Sequence, residues 1–538
     1  MVSGLSSRHR RGAGERMNIP GNWKRYSSGN LTGKATRNTT FQKPLAQARL
    51  HHKHGLSMAK TFTAPASLVW LRQDLRLQDQ PAFAAALAAG GPIIPVFIWS
   101  PEEQAPWSPG GASRWWLHHA LADLDYQLRS SSSRLILRTG PSVKTLLSVA
   151  KETNARRVFW SRSYEPAIRQ RDGKVAAALR AAGLDYAEFP GALLFEPETI
   201  ANQSGKPFQV FTTFWRHCLT QPRPHPQKID LGEFATRTPA SWPTSQSLES
   251  LSLLPQIRWD KEFYQAWDPT LEGVRLRAKS FVKNSLPRYS AERDWPAQDS
   301  TSRFSPYLHF GQISPRQAWA VVDKAATGGT QKFLAEIGWR EFAHHLLFHF
   351  PQLPEQPLRE EFLRFPWEPD AEKLRAWQQG QTGYPLVDAG MRQLWQTGWM
   401  HNRVRMVAAS FLVKHLRQPW TDGEKWFWDT LVDADLASNS MGWQWVAGCG
   451  ADAAPYFRVF NPVLQGERFD PEGDYVRQYV PELAKLPAQF IHAPWRAPND
   501  ALHAAGVELG KNYPRPIVDH DTARRAALQA YEMMRKPL

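Results

Sequence analysis

Apolar residues run in short blocks before residue 200 and in helical spacing after residue 270. Leu68-Val69-Trp70-Leu71, Ile93 to Trp99, Leu135-Ile136-Leu137 and Val158-Phe159-Trp160 are strand-length runs. Between them Ala82 to Ala89, Trp115 to Leu128 and Val143 to Lys151 read as helices. Strands alternating with helices at this spacing predict an α/β domain built on a doubly wound parallel sheet, over residues 66–200. Residues 201–268 read as an interdomain linker. Pro222, Pro224, Pro226, Pro239, Pro243 and Pro255 punctuate it among Ser and Thr. Beyond it, Leu334 to Phe350, Ala389 to Thr397, Arg403 to Arg417 and Trp426 to Ala437 repeat apolar residues at i, i+3, i+4. An all-α domain over 269–530 is expected, with 531–538 as a tail.

Composition narrows the class. A chain of 538 residues is too long for one core. Its longest apolar run, Ile93 to Trp99, is far short of a membrane span. Cys218 and Cys449 alone support neither a disulfide framework nor a cysteine-rich zinc site, so a reducing compartment is expected. The net charge of +16 is largely local, because residues 1–57 hold eleven Lys/Arg against Glu15. Residues 1–65 read as a disordered basic extension. Three readings of 1–57 stay open: an organellar transit peptide in a eukaryote, a stretch upstream of a true start at Met58 and, behind these, a DNA-binding tail. A bacterial source implies the cytoplasm. No GxGxxG and no P-loop occurs, so a nucleotide would be held by another geometry.

The segment DADLASNSMGWQW, Asp433 to Trp445, sets two carboxylates and an amide beside two indoles. On a helix, Asp435, Asn439 and Trp443 share one face at i, i+4, i+8, and Trp445 looks elsewhere. Taken alone this is a core helix with satisfied polar groups, and Arg405 would pair with Asp433. The pattern repeats, however, in Glu336 and Trp339 of FLAEIGWREF and in Asn402 of WMHNR. Such sites converge on a large heteroaromatic ligand with hydrogen-bonding edges. His344, His345 and His349 lack a third ligand type at suitable spacing, so no metal is expected.

Residues 66–530 resemble the cryptochrome/photolyase family, and most closely the microbial class I type of CPD photolyase. The motifs that carry the resemblance are WLRQDLRL, TSRFSPYLHFG, EIGWREF, GYPLVDAGMRQL, TGWMHNRVRM and DADLASN–GWQW, in order. The resemblance implies FAD folded into a U in the helical domain. It implies that light-excited FADH⁻ donates an electron to a cyclobutane pyrimidine dimer in DNA, which splits and returns it. On the same basis Tyr289, Thr301, Ser302, Arg303, Phe304, Ser305 and Arg340 match contacts near the flavin phosphates. Arg405 and Asp433 match a pair near the isoalloxazine, Asp435 a group accepting from the ring, and Asn439 the residue opposite N5. A neutral amide there cannot supply the proton a carboxylic acid could, which favours the anionic reduced flavin. Plant cryptochromes carry an acid at that position, so Asn439 speaks for repair over the alternative, a cryptochrome-type blue-light photoreceptor.

The resemblance also implies a flipped-out lesion, since a dimer must leave the stack to meet an electron donor. Trp339 and Trp445 match its aromatic walls. Glu336 matches the acid on the thymine edge, with Asn402 and Met406 completing the pocket. Relatives that repair 6-4 lesions have histidine at those last two positions. Arg403 and Arg458 match phosphate contacts. Trp443, Trp420 and Trp367 match a chain of indoles that reduces oxidised FAD in the light. For an antenna, Glu165 in SRSYEP and Glu103 in WSPEEQAPWSPGGASRWW, with Trp107, Trp115 and Trp116, point to 5,10-methenyltetrahydrofolate. An 8-hydroxy-5-deazaflavin and an empty site are the alternatives. The expected partner is UV-damaged DNA containing pyrimidine dimers, with no membrane, and the expected state is a monomer.

Overall fold

The computed structural model describes residues 62–536 apart from residue 457. Residues 1–61 of the basic extension, and with them the start-site question at Met58, lie outside the described residues. Strands β1 (Ser67–Leu71), β2 (Ile93–Trp99), β3 (Ile136–Thr139), β4 (Arg157–Ser161) and β5 (Asp185–Phe189) form one parallel sheet in the order β3-β2-β1-β4-β5. Alternation sends Leu68 and Trp70 to one face, where the helices Ser142–Thr153 and Pro166–Ala181 cover them. Val69 and Leu71 face the main core, which continues into the helical region. Burying each such aliphatic side chain stabilises by roughly 1.5–3 kcal/mol. The run DYAEF forms β5 without an apolar run because it is an edge strand, half-buried at most.

The charged residues of WLRQDLRLQDQ join the sheet to the helices. Arg76 donates to the carbonyls of Gly311 and Gly191, each over 2.9 Å. Asp79 accepts from Arg316 Nε at 2.9 Å and from the Gln227 amide at 2.8 Å. Stripping either side of such a buried pair would leave an uncompensated charge, so the motif fixes how the two regions meet. Gly311 sits at φ +67°, and a Cβ there would lie 2.3 Å from the Gln73 carbonyl. The segment 201–268 is more than a spacer. It forms the helices Phe211–Cys218, Leu231–Ala235 and Phe263–Ala266, and Phe214, Trp215 and Phe263 join the main core.

Two helical expectations change in detail. The predicted helix Arg403 to Arg417 is Asn402–Ser410 followed by a wider turn over Phe411–His415. The predicted helix Trp426 to Ala437 is instead Trp420–Thr430, a break, and a new helix Leu436–Ala447. The break falls at Asp433-Ala434-Asp435. Asp435 caps the new helix by accepting the Ser438 amide at 2.8 Å, an arrangement aspartate favours over a helix interior.

Candidate functional site

The cap splits the expected helix face. Asn439 and Trp443 both turn toward the helix Trp420–Thr430. The carboxamide nitrogen of Asn439 donates to the Glu424 carbonyl at 3.0 Å, and Trp443 packs where a side chain on Gly423 would stand. Asp435 looks the other way. Its Oδ2 lies 3.3 Å from His344 Nε2 and 3.8 Å from His309 Nδ1. His344 Nδ1 lies 3.0 Å from the Arg340 carbonyl, so the ring bridges that carbonyl and the Asp435 carboxylate. Burial pushes the Asp435 carboxyl up, but His344, His309 and Arg340 outweigh it and hold the group well below the carboxylate range.

Beside it, Arg405 Nη2 reaches both oxygens of Asp433, at 3.1 and 2.9 Å, as its position in sequence suggested. Trp399 lies between Arg405 and Arg303, whose guanidinium carbons stand 6.0 and 4.8 Å from its ring. Arg303 takes a left-handed backbone, φ 51°, within the Thr301–Ser305 turn. Arg277 holds that turn by donating to the Thr301 and Ser302 carbonyls at 3.0 and 3.1 Å. Those two carbonyls are thereby satisfied by a cation from within the protein. Phe304 and Tyr289 are buried, Thr301 and Ser302 half-buried, and Ser305 exposed. Arg340 departs from the expected place with these residues. It donates to the Ala192 carbonyl at 2.8 Å and faces Asp435 and His344.

On the outer side, Glu336 accepts from Arg293, a residue the motifs did not single out. Trp339 stacks on Phe211 at 3.8 Å and 10°, which occupies one indole face and leaves the other. Phe211 was hidden in the segment read as linker; its FTTFW run was the signal. Asn402 and Met406 touch through Nδ2 and Sδ at 4.0 Å along one helix. Arg403 donates to Asp294 at 2.8 Å. Asp294 follows Arg293, so the ion pairs link Arg403 on its helix to Glu336. Trp445 is half-buried, and Arg458 is exposed with no acidic partner among the described residues. Trp443 and Trp420 are buried and Trp367 half-buried. The Glu368 amide donates to the Arg417 carbonyl at 2.8 Å, tying the strand after Trp367 to the turn before Trp420.

Two cavities lie between sheet and helices. The larger, about 640 Å³, opens at the carboxyl ends of β1, β2 and β4. Arg72, Trp99, Gln104, Arg171, Phe310 and Trp428 line it. This is where open α/β sheets take ligands, beside the strand at which the order reverses. The smaller, about 450 Å³, is lined by Glu165, Arg340, His344 and Asp435. Burial pushes the Glu165 carboxyl up to about 7. Glu103 is not at either cavity. Its carboxylate accepts from the Ser142 amide at 3.1 Å, capping the helix Ser142–Thr153, because the free N–H groups there need an acceptor. Trp115 and Trp116 are fully buried core residues, and Trp107 packs edge-on against Trp428 at 5.6 Å. His345 and His349 serve separate backbone groups, and no metal cluster occurs among the described residues.

Residues 67–230 match the DNA photolyase model and residues 333–533 the FAD binding domain of DNA photolyase. The chain is 48% identical over 479 residues to the deoxyribodipyrimidine photo-lyase of Agrobacterium fabrum, spanning 88% of this chain and 99% of that protein. It is 41% identical over 488 residues to Cryptochrome-1 of Arabidopsis thaliana, spanning 87% and 70%. A crystal structure titled as a bacterial class III photolyase from Agrobacterium tumefaciens superposes with a TM-score of 0.85 at 47% identity, covering 89% of this chain and all of that one (100%). The chain belongs to the cryptochrome/photolyase family and carries its FAD-binding domain. That similar structure is of a class III photolyase, whereas the motifs pointed to class I. The turn held by Arg277, the Arg405–Asp433 pair and the Asn439 carboxamide fit a flavin nucleotide. No helix among the described residues is long and apolar enough to cross a membrane.

Proposed function

We propose that the protein repairs cyclobutane pyrimidine dimers in DNA by light-driven electron donation. One chain of contacts supports this reading: Glu336 accepts from Arg293, the adjacent Asp294 accepts from Arg403, and Arg403 shares a helix with Asn402 and Met406. We read these residues with Trp339 as a lesion recess that has Arg293 and Arg403 at its rim. A carboxylate accepts from an imide N–H, an indole stacks on a pyrimidine ring, and arginines meet phosphates. FAD, when bound, supplies the electron. Arg405, Asp433 and Asp435 hold polar edges of the site. Asn439 presents Oδ1, since its nitrogen is committed to Glu424, and so offers an acceptor to a ring N–H. Trp443, Trp420 and Trp367 lead from the buried interior toward the surface and refill the site with electrons.

The larger cavity suits a second light-absorbing ligand, and its Trp99, Phe310 and Trp428 walls would stack an aromatic ring. We read that ligand as 5,10-methenyltetrahydrofolate, with Glu165 nearby in the smaller cavity. Heat-released chromophore identified by mass spectrometry decides between folate and deazaflavin. For the main activity, fully reduced protein is illuminated with blue light on DNA carrying either dimers or 6-4 lesions. Loss of dimers alone is expected. Unchanged dimers with intact lesion binding would instead support a blue-light photoreceptor, the role suggested by the name of the Arabidopsis relative.

A further inference from the structure

We propose that Arg293 and Asp294 form a charge relay coupling the phosphate contact at Arg403 to the lesion-binding carboxylate of Glu336. The inference rests on the repair reading above. Four side chains of alternating sign run along the rim. Arg403 Nη2 meets Asp294 Oδ2 at 2.8 Å. Asp294 Oδ1 lies 3.7 Å from Arg293 Nε, and Arg293 Nη1 donates to Glu336 Oε1. Asp294 is thus shared between two cations and is closer to Arg403. Arg293 is 12% exposed and lies over the Tyr289 ring, so its stem is fixed and its head has two acids to choose from.

Without DNA, Arg403 satisfies Asp294, and Arg293 is left to Glu336. That contact uses an oxygen the acid needs for a base. A phosphate on Arg403 displaces Asp294, because both compete for the same planar fork of donors. Asp294 then has Arg293 as its nearest remaining cation and draws it off Glu336. The freed carboxylate accepts the imide N–H of the flipped pyrimidine. Backbone engagement therefore opens the base pocket, and the recess stays closed to stray ligands until DNA arrives. Arg403 lies over the Phe469 ring at 4.4 Å, which keeps its head at the rim through the exchange.

The test is a double-mutant cycle on the full-length protein, read by fluorescence anisotropy in the dark. Duplexes with one thymine dimer are compared with undamaged duplexes. In the parent, Arg403→Ala is expected to weaken both duplexes and leave the ratio of damaged to undamaged affinity parental, because Asp294 is then free to draw Arg293 off Glu336. Asp294→Asn should tighten undamaged DNA and cut the ratio about tenfold, equal to about 1.4 kcal/mol, because Arg293 then stays on Glu336. Adding Arg403→Ala to Asp294→Asn should weaken both duplexes alike and leave the ratio at the low Asp294→Asn value. Asp294→Ser should behave as Asp294→Asn, and Asp294→Glu should restore the parental ratio. A ratio lost in Arg403→Ala, or a parental ratio in Asp294→Asn, would overturn the relay while leaving repair standing. A parent that binds both duplexes equally would overturn the repair reading and the relay with it.

Discussion

The side-chain nitrogen of Asn439 donates to the main-chain oxygen of Glu424 over 3.0 Å, joining the helices Leu436–Ala447 and Trp420–Thr430. A backbone carbonyl can only accept, so the bond fixes which end of the carboxamide is which. Oδ1 faces away from the helix as a pure acceptor. One residue on, Ser440 donates to Glu424 Oε1 at 2.5 Å, so the pair of helices is stitched twice at the same glutamate.

Replacing Asn439 with Asp removes that donor and places a carboxyl where the parent offers an amide oxygen. If position 439 faces the flavin as proposed, the carboxyl can supply a proton and alters the flavin's reduction. Asn439→Asp is expected to reach the fully reduced flavin more slowly than the parent under matched illumination. Repair falls in step, while DNA affinity, set mostly by phosphate contacts, stays parental. Absorption spectra recorded during illumination check this, and parental kinetics would remove Asn439 from the flavin.

Glu424 gives a pH prediction. Burial raises its carboxyl well above 4.5, the Ser440 bond opposing only in part. A raised folded value means that the fold binds the proton more tightly than the unfolded chain does. The stability this supplies is complete below about pH 4.5 and is lost as pH rises toward the folded value. Glu424→Gln keeps the acceptor and has no proton to lose. The variant should match the parent in acid and become progressively more stable than it at higher pH. Melting temperatures of both proteins from pH 4 to pH 9 follow the difference; a constant offset would mean that Glu424 is ionised in the fold.

The sheet was legible because β2, β1 and β4 lie inside it, and the edge strand β3 still buries Ile136 and Leu137, with Leu135 buried just before it. A short continuous apolar run bounded by turn residues is what a buried strand requires. β5 was missed because an edge strand keeps polar residues. The helix break at Asp433-Ala434-Asp435 was missed because apolar spacing continues across it, although two aspartates before a helical run are a capping signal. Arg405–Asp433 could be paired from sequence. Arg293 and Asp294 could not, because their partners are set by tertiary approach across segments distant in the chain. Phe211 was passed over despite its FTTFW run because the surrounding prolines marked the segment as linker. Glu103 shows the converse: a chemically apt residue whose nearest need was a helix end.

Trp367 tests the electron path. It is half-buried and packs on Phe365 at 4.4 Å, while Trp420 and Trp443 are buried. A phenyl ring fills much of the indole's space but is far harder to oxidise. Trp367→Phe should slow photoreduction of oxidised flavin by at least about tenfold, and dithionite-reduced variant should repair at the parental rate. Equal photoreduction rates in variant and parent would take Trp367 out of the path.

Gly423 tests how tightly that path is packed. A Cβ on Gly423 would lie 2.1 Å from Trp443 Cη2, and no rotamer of a rigid indole relieves such an overlap. Either the helix Trp420–Thr430 or Trp443 itself must move, and overpacking of this kind costs about 1–3 kcal/mol. Alanine also favours a helix over glycine by about 1 kcal/mol, so the net loss is read against a control. Gly173, exposed in the helix Pro166–Ala181, has nothing within 4 Å of a built Cβ. Gly173→Ala should therefore raise the melting temperature while Gly423→Ala lowers it. Displacement of Trp443 should also slow photoreduction in Gly423→Ala and leave Gly173→Ala unaffected. If Gly423→Ala melted at or above the parental temperature with parental photoreduction, the indole would not be wedged against that helix.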